Sequence, residues 1–170
     1  EQCKEHGMDS LAITDHGVMY GVVEFYKQAK ALGIHPVIGC EVYIAPRSMK
    51  DKDAHVDGNN YAHLILLAEN QEGYKNLTKL VSMGFLEGFY YKPRIDYEIL
   101  AKYHEGLICL SSCLAGDIPK FLLDGQYDKA KSLALKLNSI FGNGNFYLEL
   151  QNHGLEEQRI VNERIIKLSQ

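Results

Sequence analysis

Alternating strands and helices predict an α/β protein, built either as an open sheet of parallel strands with crossover helices or as a (β/α) barrel. Three observations carry this reading. Short apolar runs and longer stretches of helical period take turns about five times along the chain. The strands are apolar along most of their length, as strands covered on both faces are. The 170 residues suffice for one domain with a genuine core and are too few for two.

The chain opens on "EQCKEHG", the last turn of a helix stopped at Gly7, and "LAIT" (Leu11–Thr14) reads as the first strand. In "GVVEFYKQAKALG", Val22, Val23, Phe25, Tyr26, Ala29 and Leu32 share one helical face that ends at Gly33. "PVIGCEVYIA" (Pro36–Ala45) is the second strand, and the polar, glycine-containing "RSMKDKDAHVDGNN" after it is an exposed loop. "YAHLILLAEN" (Tyr61–Asn70) is a buried strand. The helix that follows places Tyr74, Leu77, Leu80 and Val81 on one face. "GLICLSSC" (Gly106–Cys113) is a further strand, "QYDKAKSLALKLNSIFG" a helix stopped at Gly142, and "NFYLELQNHG" a last strand leading into "RIVNERIIKLSQ". The absence of an initial Met and of a stop signal after this last amphipathic run leads us to expect a chain trimmed at both ends.

With 46% hydrophobic and 24% charged residues, the composition is that of an ordinary globular protein. The formal charge of −4 gives no bulk signal for a nucleic-acid or anionic-membrane surface, although a local site can carry the opposite sign. Four cysteines are too sparse for a disulfide framework, no signal peptide is present and no apolar run is long enough to span a membrane, so a reducing cytoplasmic setting is expected.

In α/β folds of this kind the chemistry gathers at the carboxyl ends of strands. The first strand ends in Asp15-His16, the second carries Glu41 where a buried strand should offer Val or Ile, the third carries His63 at its near end, and the fourth ends at Cys113. Imidazole, carboxylate and thiolate are the ligand types of transition-metal sites. An ionised Glu in an apolar strand costs several kcal/mol, on the order-of-magnitude scale for buried charge, unless something pairs with it. A cation would pair with all of these groups at once. Each residue also has a plainer reading: Asp15 as a helix cap, His63 as a satisfied core histidine, Glu41 as half of an ion pair, Cys113 as a small buried hydrophobe. Cys40 and Cys109 lie inside strands and are read as core; His6, His35, His55 and His104 are read as surface. Glu149 and His153 are read as supporting or merely exposed groups.

"GFYYKPRID" (Gly88–Asp96) sets Tyr90 and Tyr91 beside Lys92 and Arg94. Packing is the favoured role for the tyrosines. Arg94 stands as a candidate catalytic group able to hold a phosphate by bidentate hydrogen bonds, beside Asp15. Basic and aromatic residues together also suit single-stranded nucleic acid, as a weak signal.

"TDHG", "GCEVYIAP", "HLILLAENQEGYKNL", "EGFYYKPRID", "SSCLAGDIP" and "FYLELQNHG", in this order over essentially the whole chain, resemble the PHP (polymerase and histidinol phosphatase) domain family, and within it the branch at the N-terminus of bacterial replicative DNA polymerase III alpha subunits. The resemblance implies a distorted seven-stranded (β/α) TIM-like barrel holding up to three divalent transition metals, Zn, Mn or Fe. It carries His16, Glu41, His63 and Cys113 over as metal ligands. The family's N-terminal His-x-His and late Asp-x-His have no match, and "SSC" stands where Ser-Gly-Cys is commoner. Residues 1–170 are thus expected to be one PHP domain lacking its first and last strands, with weak metal binding and poor folding in isolation. For the parent, the resemblance implies DNA-templated DNA synthesis, with DNA, deoxynucleotides, a sliding clamp and other replisome subunits as partners and no membrane. For the domain it implies phosphoester hydrolysis, as a 3′–5′ proofreading exonuclease. A scaffold without catalysis and a free-standing phosphoesterase of the histidinol phosphatase type are the alternatives.

Overall fold

The longest strand organises the sheet. The computed structural model describes residues 1–53 and 61–170; His55 and the rest of 54–60 in the expected loop lie outside the described residues. After a short helix α1 (Gln2–Glu5), β1 (Ser10–Ile13) and helix α2 (Val22–Ala31) lead into β2 (His35–Ile44). The first half of β2 pairs in parallel with β1, from Ser10 opposite His35 to Ile13 opposite Ile38. Its second half pairs with β3 (Ala62–Ala68), Glu41 opposite Ile65 and Tyr43 opposite His63.

Helix α3 (Gln71–Leu86), the short strands β4 (Phe89–Tyr90) and β5 (Lys92–Ile95), helix α4 (Tyr97–Lys102) and β6 (Leu107–Leu110) follow. Helices α5 (Asp117–Leu123) and α6 (Tyr127–Phe141), strand β7 (Phe146–Tyr147) and helix α7 (Glu156–Leu168) complete the chain. The seven strands form one sheet in the order β4-β5-β2-β3-β6-β7, with β1 beside β2.

The expectation of an all-parallel sheet is corrected: β3 runs antiparallel to both β2 and β6, and β4 antiparallel to β5, while β1–β2, β2–β5 and β6–β7 are parallel. The physical reason lies between β2 and β3. A parallel return needs a crossover of a dozen or more residues that packs back on the sheet, usually as a helix. The polar run after Ala45 has no apolar stripe with which to pack.

Alternation along β2 and β3 decides what faces where. Cys40, Val42, Ile44, Leu64 and Leu66 are buried in the core with Leu77 and Leu80 of α3, Leu122 of α5, Leu137 of α6 and Val161 and Ile165 of α7. Glu41, Tyr43 and His63 take the other face. The sequence expectations for α2, α3 and α6 hold, with Gly33 and Gly142 ending α2 and α6 at φ of 69° and 81°. Helices α4 and α5, which are short, were not expected. The segment 88–96 forms the β4–β5 hairpin, and the last expected strand shrinks to Phe146–Tyr147.

Asn70 begins α3 by accepting hydrogen bonds at Oδ1 from the backbone N–H groups of Glu72 and Gly73, both at 3.0 Å. Substituting Asn70→Ala is expected to cost about 1 kcal/mol of stability. The check is a lower urea midpoint at unchanged denaturant slope.

Candidate metal centre

Backbone pairing brings the predicted donors together. Beyond Ile13 the β1 chain keeps contact with β2: Glu41 N donates to Asp15 O at 3.0 Å, Gly17 N donates to Glu41 O at 2.8 Å, and His16 forms an isolated parallel bridge with Glu41. Glu41 is thus flanked by His16 on one side. On the other, β3 puts His63 one residue pair along, opposite Tyr43.

The three side chains converge on one atom. Glu41 Oε1 lies 2.8 Å from His16 Nδ1 and 2.6 Å from His63 Nδ1. Among the described residues, His16, Glu41 and His63 are the group whose donor atoms all lie within 4.8 Å of one another. Glu41 is buried, His63 half-buried and His16 exposed, so the cluster has a dry floor and one side open to water. Cys113 joins through His63, its Sγ 3.7 Å from the same Nδ1, while its sulfur also accepts from Ala115 N at 3.4 Å.

Charge and hydrogen bonding in this cluster reinforce one another. The contact with Cys113, then the hydrogen bond to Glu41, push His63 up to about 9. Burial raises the Glu41 carboxyl, but the hydrogen bond and charge of His63 and then of His16 outweigh it, so the net direction is downward. Cys113 is lowered, chiefly by the hydrogen bond with His63. Each group is therefore poised toward its charged form by its neighbours.

Two imidazole nitrogens, a carboxylate oxygen and a nearby sulfur form a donor set that suits zinc, and without the sulfur manganese or iron as well. The imidazoles already point their nitrogens at the carboxylate, as they would toward a cation beside it. The residues present therefore fit a transition metal.

The other candidates fall elsewhere. The Asp15 carboxylate turns toward the segment before α2, where Oδ2 accepts from Gly21 N at 3.3 Å, and it stands apart from the group of three. Arg94 requires correction. It is 3% exposed and spends its guanidinium on backbone carbonyls: Nε donates to Gly88 O at 3.3 Å, and one terminal nitrogen to Met49 O at 3.4 Å and Asp51 O at 2.6 Å. A guanidinium committed this way ties the segment after β2 to the hairpin and has no face left for a phosphate. Tyr91, expected to pack, is 69% exposed at the hairpin tip with φ of 57°. Cys40 and Cys109 are buried as expected. Glu149 and His153 are bridged by Gln151, which donates to Glu149 Oε1 at 2.6 Å and shares a 3.0 Å contact with His153.

Three contributors escaped sequence reasoning. Ser112 Oγ donates to Glu41 Oε2 at 3.4 Å from a backbone with φ of 66°, a conformation that costs a non-glycine residue energy and fixes where the hydroxyl points. Tyr61 lies parallel to the His63 ring at 5.9 Å between centroids, and Tyr43 meets it edge-on at 5.3 Å. A groove of about 640 Å³ between α2 and α3, lined in part by Val22, Tyr26 and Tyr74, shares no residue with the cluster.

Residues 1–153 match the PHP domain family. The chain is 49% identical over 166 residues to the DNA polymerase III subunit alpha of Treponema pallidum, covering 98% of this chain and 14% of that one. The corresponding figures for Borreliella burgdorferi are 51% over 168 residues, 99% and 15%. For Thermus aquaticus they are 50% over 156 residues, 91% and 13%. The chain thus spans about one seventh of the length of the curated relatives it matches. In fold it is similar to a solved Bifidobacterium adolescentis protein described as a metal-dependent phosphoesterase, with a TM-score of 0.52 at 13% identity, covering 99% of this chain and 75% of that one.

Proposed function

From the premise that this chain belongs to the PHP domain family, we propose that it is the PHP region of a replicative DNA polymerase alpha subunit and that it binds divalent transition metals and hydrolyses phosphoesters. One observation carries the reading: His16, Glu41 and His63, on separate strand segments, aim their donor atoms at a common point.

Bound Zn, Mn or Fe, up to three ions, would supply a water of lowered pKa and neutralise charge developing on phosphorus. The chain's own residues do the rest. Glu41, held by the β1 and β3 neighbours and by the Ser112 hydroxyl, fixes a negative oxygen on the dry floor of the site. His63 packs against the adjoining rings of Tyr43 and Tyr61, and His16 stands at the side open to water. The task proposed for this site in the full-length protein is 3′–5′ proofreading hydrolysis. DNA synthesis, and contacts with deoxynucleotides, a sliding clamp and other replisome subunits, belong to the rest of the polymerase. Residues 1–170 are a single domain in this reading, and the bacterial cytoplasm is its setting. No helix among the described residues is long and apolar enough to cross a membrane.

A scaffold reading rests on one observation of its own: the carboxylate and the two imidazoles satisfy each other's hydrogen bonds. Metal content decides between them. Elemental analysis of the full-length protein, purified without chelator, is expected to show near-stoichiometric Zn, Mn or Fe that a His16→Ala, Glu41→Ala double variant loses. A well-folded, metal-free parent would leave the scaffold.

A further inference from the structure

Lys92 is the residue beside the metal centre that has charge to spare. It begins β5 two residues before Arg94, and Arg94 stands opposite Tyr43 in the parallel β2–β5 pairing. Side chains two apart on a strand share a face, so Lys92 lies on the face that carries Tyr43, Glu41 and His63. Its ammonium sits 5.5 Å from the centroid of the Tyr43 ring, and that ring meets His63 edge-on. A lysine ammonium and an imidazole of the cluster thus contact the same aromatic ring.

Among the described residues the ammonium makes no ion pair. The lysine and arginine ion pairs among the described residues join Arg47 to Asp51, Lys50 to Glu87, Lys75 to Glu72, and Arg159 to Glu156 and Glu163; none includes Lys92. Arg94 is consumed by backbone carbonyls, so it does not compete for an anion here.

The backbone around Lys92 is stiff. Tyr91 before it is held at φ of 57°, and Pro93 after it has its own φ fixed by its ring and packs toward Gly17, the neighbour of His16. A lysine on an ordinary surface strand gives up much rotamer freedom to hold a ligand. Here the backbone is set and the stem is steered across an aromatic face, which lowers that cost.

We infer that Lys92 is a phosphate-binding residue of this centre, holding a non-bridging oxygen of a phosphoester while the His16–Glu41–His63 group holds metal at the same phosphate. This rests on the metal reading above and deepens it by naming the group that recognises the substrate's charge. Lysine serves as a point charge in such a role, so position matters more than bidentate shape.

The test uses the full-length protein loaded with Mn²⁺ and titrated with inorganic phosphate in a calorimeter, as wild type, Lys92→Met and Lys92→Arg, after Mn²⁺ affinity has been measured for each. The expected result is Mn²⁺ affinity unchanged in all three, phosphate affinity about tenfold weaker in Lys92→Met, and most of it restored in Lys92→Arg. Where turnover is measurable, KM should rise in Lys92→Met with kcat nearly kept. Normal Mn²⁺ uptake with equal phosphate affinity in wild type and Lys92→Met, or no phosphate binding at all, overturns the inference and leaves the metal reading standing. Loss of Mn²⁺ affinity in Lys92→Met overturns it by showing that the lysine supports the metal site instead. A wild type that takes up no Mn²⁺ overturns the metal reading, and the inference with it.

Discussion

Gly73→Ala is expected to destabilise this protein severely. A Cβ at Gly73 would stand 1.8 Å from the carbonyl oxygen of Gly106, far inside any real contact. Neither backbone can yield. Gly73 lies in the first turn of α3, its N–H bonded to the Asn70 side chain, while the same Gly106 oxygen accepts from Glu69 N at 3.0 Å. Asn76 Nδ2 adds a bond to Glu105 O at 2.9 Å. Gly106 is itself confined: its φ is 70°, and a Cβ there would meet Asn70 Oδ1 at 2.5 Å. The helix start and the entry to β6 are thus in direct backbone contact, and a methyl group must push them apart.

The expected cost is about 4 kcal/mol or more, above the roughly 1–3 kcal/mol usual for overpacking, because backbone meets backbone here. In a domain of this size that lowers the melting temperature by roughly 8–16 °C. Gly33→Ala is the control. Its φ of 69° carries backbone strain, yet no atom lies within 4 Å of the added Cβ, so about 1–2 kcal/mol is expected. Thermal denaturation of both variants checks this. A Gly73→Ala protein melting within about 2 °C of wild type would mean that the two segments part freely. The consequence for the site is direct, because β6 leads to Ser112 and Cys113.

These two glycines also show where sequence reasoning stops. Helices α2, α3 and α6 were legible because their apolar residues recur at helical spacing and glycine ends two of them. Nothing in "EGYKNL" or "HEGLI" announces that Gly73 and Gly106 meet, since that contact is set by tertiary packing. Strand direction was hidden for a similar reason. Leu64, Leu66 and Cys40 are buried whichever way β3 runs, and apolar strands covered on both faces read alike in parallel and antiparallel sheets. The available signal was the polar run between Ala45 and Tyr61, with no helical stripe in it. Helix α4 is only six residues long, too short for periodicity, although Asp96 at its start marks it by accepting from Ile99 N at 2.9 Å.

The candidate site was more legible than the topology. His16, Glu41 and His63 stood out as polar groups where apolar strands should have had none, and a fold tolerates that only when the groups meet one another or a cation. Arg94 was legible only in part. Residue type marks a cation able to hold a phosphate, and only burial shows that Gly88, Met49 and Asp51 have already claimed it. Lys92, two residues earlier and less conspicuous beside the tyrosines, kept its charge.

Glu41→Leu should separate metal binding from folding. In the full-length protein we expect at least about a hundredfold loss of Zn²⁺ or Mn²⁺ affinity. Losing a group that merely orients a ligand costs 10–100-fold, and Glu41 is the atom on which the other two donors converge. In chelator, by contrast, the variant should melt within a few degrees of wild type. Removing one partner of a buried charge pair is costly where the other charge is left unpaired, but the cost of desolvating the Glu41 carboxylate disappears with it. The groups left behind are also provided for: the His16 side chain is 68% exposed and can turn to water, and His63 keeps Cys113 at 3.7 Å and its two tyrosine neighbours. Added metal should then raise the melting temperature of wild type alone, since a ligand stabilises only the state that binds it. If Glu41→Leu kept full metal affinity, the ions would have to be held elsewhere. If it lost its fold in chelator, Glu41 would be holding β1 to β3 through its two imidazole contacts, which is the scaffold role that the self-satisfied cluster allows.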